Sequence, residues 1–255
     1  MFKIFRKIRQ GLLVENKFSK YVVYALGEIF LVVIGILIAL QINNWNQNRL
    51  ERVEEKKLLT NIKVDYQEAI NTFELLNKRR DEALQNYQTL FNLLGTDSFG
   101  DKWYIDSLLC KTIFTPTYNG KSSSLSVLIN TGKINLLSND TLKSMLFSWP
   151  QRVEDMTEGE IDAKDITVNG LTPLIGSYVS YNDMFRSIKI PNYEMPFVNR
   201  KSKIEKNYKA LFSDPEFENY ISQMDFMYEV GKRETHGLIT LAKQIIAAID
   251  RDLDK

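Results

Sequence analysis

Residues 59–94 read LTNIKVDYQEAINTFELLNKRRDEALQNYQTLFNLL. Alternating steps of three and four pick out Leu59, Ile62, Tyr66, Ala69, Phe73, Leu76, Arg80, Ala83, Tyr87, Leu90 and Leu94. All but Arg80 are apolar or Tyr, and only a helix collects residues at that spacing on one side. Such a stripe serves either as the seam of a parallel coiled coil between chains or as one wall of a bundle within a chain. Neither Gly nor Pro occurs between Ala39 and Leu94, so a helix can run through the whole interval without a breaker. Gly95 is expected to end it.

The C-terminal end has the same character. Ser213-Asp214-Pro215-Glu216 is a helix start, with a capping side chain, Pro in the first turn and Glu behind it. Phe217, Ile221, Met224, Tyr228, Gly231, Thr235, Leu238, Ala242, Ile245 and Ile249 follow at three-four spacing. A second set, Tyr220, Met227, Leu241 and Ile246, widens the face and favours a bundle core over a narrow seam. Gly231 and Gly237 are expected to weaken and bend the middle of this helix. Shorter helices are predicted between the two long ones: Ser122–Asn130, closed by Thr131-Gly132; Asp140–Trp149, capped by Ser138-Asn139 and stopped by Pro150; and Gln151–Tyr181, interrupted at Gly170 and Pro173. Residues 182–204, with Pro191 and Pro196, read as irregular. No window alternates with period two, so the predicted fold class is all-α, with residues 59–255 forming one helical domain.

Upstream, residues 43–58 are polar nearly all round and read as a helical stalk. Residues 21–42, YVVYALGEIFLVVIGILIALQI, are long enough at about 1.5 Å per residue to cross a hydrocarbon core of about 30 Å. The segment lacks the small-residue cleavage site of a signal peptide, so an uncleaved transmembrane anchor is expected. Residues 1–20 carry Lys3, Arg6, Lys7, Arg9, Lys17 and Lys20 against Glu15, a net charge of +5, while residues 43–255 have 27 basic and 30 acidic side chains. Basic flanks stay cytoplasmic, which puts the N-terminus inside and residues 43–255 outside. Phe2, Phe5, Ile8, Leu12 and Leu13 recur at helical spacing among Lys3, Arg6, Lys7 and Arg9. This pattern suits a basic amphipathic segment on the lipid surface.

Three stretches carry a resemblance: Phe5-Arg6-Lys7-Ile8-Arg9-Gln10; Glu15-Asn16-Lys17-Phe18-Ser19-Lys20-Tyr21; and Gly27-Glu28-Ile29 running into Val33-Ile34-Gly35-Ile36-Leu37-Ile38-Ala39-Leu40-Gln41-Ile42-Asn43-Asn44-Trp45-Asn46. They resemble a family of uncharacterised bacterial envelope proteins, a domain of unknown function with one N-terminal span and a helical region beyond it. The resemblance implies a Gram-negative-type inner membrane with the body in the periplasm, and it implies no activity.

Composition narrows the chemistry. A net charge of +1 in 255 residues argues against nucleic-acid binding, and a mean hydropathy of −0.25 is too polar for several spans. One Cys (Cys110) and one His (His236) give no disulfide framework, zinc cluster or catalytic triad. Gly120-Lys121-Ser122 opens a helix, but Thr115 stands where a phosphate-binding loop needs its first Gly, and Gly95–Gly100 is followed by Asp101 rather than Lys. His236 reads as a surface residue, and the run Asp155, Glu158, Glu160, Asp162, Asp165 as a solvated helix face. Asp106-Ser107-Leu108 and Asp140-Thr141-Leu142 match a short O-glycosylation triplet, with Ser107 and Thr141 as acceptors. No catalytic, cofactor-binding or metal-ligating residue is expected.

Within the span, Glu28 is the one costly side chain, with Tyr24 one turn earlier as a hydrogen-bond donor. Gly35 and Ala39, four apart, let another helix approach closely. These four are candidates for helix association or ion linkage, and Lys3, Arg6, Lys7 and Arg9 for lipid contact. The expected function is non-enzymatic scaffolding in the periplasm, with a second copy of the chain or an envelope protein as partner. The alternatives are an accessory subunit of an ion-driven motor or transporter using Glu28, and a ligand-sensing bundle.

Overall fold

The computed structural model describes residues 18–120, 123–188 and 201–254, and it divides the chain into two units, residues 1–57 and 58–255. The basic segment 2–13 with Lys3, Arg6, Lys7 and Arg9, the pair Lys121-Ser122, and Pro191 and Pro196 lie outside the described residues. Every regular element among the described residues is helical. Helix α1 is Phe18–Phe91, uninterrupted for 74 residues as the lack of Gly and Pro beyond Ala39 allows.

In the first unit the helix is long and apolar enough to cross a membrane, and none of its most apolar window is buried. Leu26, Phe30, Leu31 and Leu37 are each about three-fifths exposed, and Ile38, Leu40, Ile42 and Trp45 also face outward. Asn46 and Arg49, and Gln47 and Glu51, bond along the polar stretch that follows.

The second unit is built on α1, α4 (Asp140–Ile166) and α8 (Pro215–Leu253). The shorter α2 (Lys102–Thr112), α3 (Ser123–Asn130), α5 (Thr172–Tyr178), α6 (Tyr181–Ser187) and α7 (Tyr208–Leu211) close its sides. Two apolar cores form. One joins Leu59, Phe73, Leu128, Leu146, Trp149 and Ile245; the other joins Leu90, Leu109, Leu171, Ile175, Phe212 and Phe217. Each fully buried side chain of this kind contributes about 1.5–3 kcal/mol. Along α1 and α4 the first core precedes the second, and along α8 the order reverses, so α8 runs antiparallel to the other two. The Leu59–Leu94 stripe is therefore a wall of a core within one chain rather than a seam between chains: Leu59 and Phe73 are fully buried by the chain itself.

The helix starts follow the capping rules. Asn139 accepts from Leu142 N, Asp214 from Glu216 N, and Asp101 from Trp103 N. Gly95 and Gly132 sit at φ 68° and 69°, left-handed turn positions after α1 and α3 where a side chain would be strained.

Three expectations need correction. Pro150 does not stop a helix: it lies exposed inside α4, which continues to Ile166. The missing N–H costs about 3 kcal/mol, but Leu146, Trp149 and Met156 on either side are all buried, and their packing outweighs it. Gly170 and Pro173 produce a π-turn, Thr167–Leu171, rather than a break. There Thr172 N bonds to Thr167 O, which carries the helix into α5 with Pro173 in its first turn. A Cβ on Gly170 would lie 2.6 Å from the Tyr220 ring of α8, so a larger residue at that point requires the ring to move. Finally, the helix ends at Tyr178 rather than Tyr181, and residues 182–187 of the stretch expected to be irregular join Tyr181 in α6.

Candidate functional site: a buried polar layer and an adjacent groove

Between the two cores each long helix breaks its apolar stripe. On α1 the break is Arg80, on α4 Glu160, and on α8 Gly231 and Thr235. Arg80 is 2% exposed. Its Nη2 donates to Glu160 Oε1 at 2.6 Å, and its Nη1 donates to Gly231 O at 2.7 Å and Thr235 Oγ1 at 2.5 Å. Thr235 Oγ1 in turn donates to Gly231 O. The second Glu160 oxygen accepts Tyr118 N at 2.8 Å, which ties the segment between α2 and α3 across the layer. A Cβ on Gly231 would come within 3.0 Å of Arg80 Cζ, so the glycine provides the space for the guanidinium. Burial pushes the Glu160 carboxyl up and the Arg80 guanidinium down, and each is pulled back by the other's charge.

A second polar cluster pins α2 to the chain's later part. Asp106, 2% exposed, accepts from Lys206 Nζ at 2.5 Å and Tyr208 Oη at 2.7 Å. Lys206 also pairs with Asp183 at 3.0 Å, and Asp183 accepts Ser202 N at 3.0 Å. Burial pulls on the Asp183 carboxyl in one direction, but the Ser202 N–H and the Lys206 charge overcome it and hold the group below its ordinary value.

Beside the polar layer, α1 and α2 leave an open groove of about 610 Å³, walled on one side by the Phe114–Pro116 segment. It presents Arg79, Glu82, Asn86, Tyr104, Lys111 and Phe114.

The candidate residues read from the sequence fall elsewhere. Glu28 is half-buried on α1, Gly35 and Ala39 are exposed, and Tyr24 belongs to the same helix. No atom stands within 4 Å of where a Cβ on Gly35 would be. All four belong to one helix. His236 is exposed on α8. Of the acidic run, Asp155, Glu158, Asp162 and Asp165 are exposed, whereas Glu160 is not a solvated residue but the buried partner of Arg80. The triplet at Ser107 is folded into α2 with Asp106 and Leu108 buried, while Thr141 is exposed in the first turn of α4. At the start of α3, Ser124 N is taken by the Asp65 carboxylate at 2.9 Å, so an anion already fills the place a phosphate would need. Gly95 and Gly100 are turn residues with positive φ, and Gly95 N donates to Phe212 O. No three or more His, Cys, Asp or Glu side chains converge as a metal site among the described residues.

The groove and the Glu160 half of the ion pair were missed in the sequence. For Glu160 the signal was present: Leu142, Leu146, Trp149, Val153, Met156, Glu160, Ala163, Thr167 and Leu171 form a stripe in which it is the one charged residue.

No curated protein and no solved structure matches this chain. A family model matches residues 28–164, more than half of the chain, and that match contains both Arg80 and Glu160. The chain belongs to that family, described as a Family of unknown function (DUF6090).

Proposed function

We propose that this chain is a non-enzymatic, single-span protein of a bacterial inner membrane that holds a helical docking domain in the periplasm. The observation that carries this reading is the exposed apolar surface of α1 from Leu26 to Ile42. A run of side chains each worth about 1.5–3 kcal/mol on burial needs an apolar solvent, and a hydrocarbon core of about 30 Å supplies one. The six basic residues before the span support an N-terminus on the cytoplasmic side. The body beyond it is a helical bundle tied across its middle by a buried ion pair, which suits a rigid display domain.

Gly35 and Ala39 present a small-residue face for a second span, and Glu28, with its carboxyl in the apolar stretch, is placed to hydrogen-bond across such a pair. Isolation from native membranes in mild detergent tests the reading. The complex is expected to be heavier than the 29.6 kDa chain with its detergent. Glu28→Gln should keep that mass, and Glu28→Leu should reduce it. A lone chain in every sample overturns the docking function. Intact complexes with equal functional loss in both variants would favour an ion-carrying role for Glu28.

A further inference from the structure

The groove between α1 and α2 has a chemistry that the fold itself does not use. Arg79 and Lys111 are both exposed in its lining, and neither stands within ion-pair distance of a carboxylate among the described residues. Neither takes part in the ion pairs that hold the bundle together, such as Arg80 with Glu160, Lys206 with Asp106 and Asp183, and Lys232 with Asp81. Two aromatic rings, Tyr104 and Phe114, are 51% and 59% exposed in the same lining. Asn86 donates through Nδ2 to Leu108 O at 3.0 Å, which fixes α1 to α2. Its Oδ1 is buried and accepts no hydrogen bond.

The walls are set before anything binds. Asn86 holds α2 against α1. The segment bearing Phe114 and Pro116 is fixed a few residues on, where Tyr118 N donates to Glu160 and the Tyr118 ring stacks on Phe73 at 4.5 Å. At about 610 Å³ the space falls in the range of sites that enclose small ligands or a few extended residues. The lining carries two cations against the single carboxylate of Glu82, so its formal charge favours an anionic guest.

We propose that this groove binds an extended acidic peptide segment of a partner protein, with Arg79 and Lys111 holding its carboxylates and Tyr104 and Phe114 packing its apolar side chains. Glu82 disfavours a carboxylate at its own position, which sets a spacing between acidic residues in the guest. The proposal rests on the docking function above and names the chemistry of the partner.

The full chain in detergent, with the fluorescein-labelled peptide Glu-Ala-Glu-Phe-Glu-Ala, tests it by fluorescence anisotropy. The peptide should bind with a Kd tighter than about 1 mM, more weakly as salt rises, and the counterpart with Lys in place of Glu should not bind. Arg79→Gln and Lys111→Gln should each weaken binding about tenfold, since both remove one exposed charge-assisted contact and leave the bundle intact. Equal binding by the double variant, or by the lysine peptide, overturns the proposal. So does failure of the acidic peptide to bind while the double variant lowers the mass of the wild-type complex, which would make the groove an interface between copies of this chain. A heavy complex from native membranes that survives both substitutions, with no peptide binding, would leave the docking function standing and remove the groove from it.

Discussion

Arg80 on α1 and Glu160 on α4, eighty residues apart, meet at 2.6 Å in the layer where the two apolar cores part. Gly231 O and Thr235 Oγ1 accept from Arg80 and Tyr118 N donates to Glu160, so α8 and the α2–α3 connection complete the set. A buried pair of this kind is a weak source of net stability and a strong one of register, because sliding any of the three helices by a turn strands a charge in an apolar core.

Removing one partner should therefore cost far more than removing both. Arg80→Met or Glu160→Leu alone should destabilise the bundle by about 3–5 kcal/mol, whereas the double variant should fall within about 1 kcal/mol of the parent. Urea unfolding of a fragment covering residues 49–255, followed by circular dichroism, measures this. Additive losses in the double variant would show that the two residues do not act as a pair.

The two glycines in the middle of α8 should respond to alanine with opposite signs. Gly237 has no atom within 4 Å of a new Cβ, and Ala there should raise stability by up to about 1 kcal/mol through helix propensity. Gly231→Ala places a Cβ 3.0 Å from Arg80 Cζ, in a guanidinium held by three helices, and should lower stability despite the same propensity gain. The same unfolding assay reads both, and a stabilising Gly231→Ala would mean that the guanidinium is free to move.

These positions also show how far the sequence could be read. The stripes on α1 and α8 announced helices, core and caps, and Arg80 stood out as the one charge among apolar positions. Its partner was hidden because Asp155, Glu158, Asp162 and Asp165 surround Glu160 and are exposed, so the local composition resembles a solvated face. Only the three-four spacing from Leu142 to Leu171 separates Glu160 from them. Helix α2 follows Asp101, whose side chain caps Trp103, and buries Ile105, Leu108, Leu109 and Thr112 at helical spacing, but it is short and follows a turn-rich stretch. Pro150 misled because local breaker rules do not include the packing of Trp149 and Met156. The pairing of Asp106 with Lys206 spans one hundred residues and leaves no local trace.

Acid should act on the Asp183 cluster with a definite sign. The folded carboxyl is held below 3.8, its value in an unstructured chain, so its contribution to stability is present above that pH and lost as pH falls through the folded value. Asp183→Asn should thus be destabilising at pH 7, and the gap between variant and parent should narrow below pH 3.8. Unfolding curves across pH 2.5–7 check it, and a gap that widens on acidification would reverse the sign of the shift.

The most direct test of a membrane-anchored protein with its helical body outside is the side of the membrane on which the C-terminus lies. A phosphatase reporter that folds only where disulfides form, fused after Lys255, should be active in intact cells and should sediment with the membrane fraction. The same reporter fused after Gly11, ahead of the span, should be inactive. Activity after Gly11 but not after Lys255 would invert the orientation, and an inactive, freely soluble Lys255 fusion would contradict the anchor and the docking function built on it.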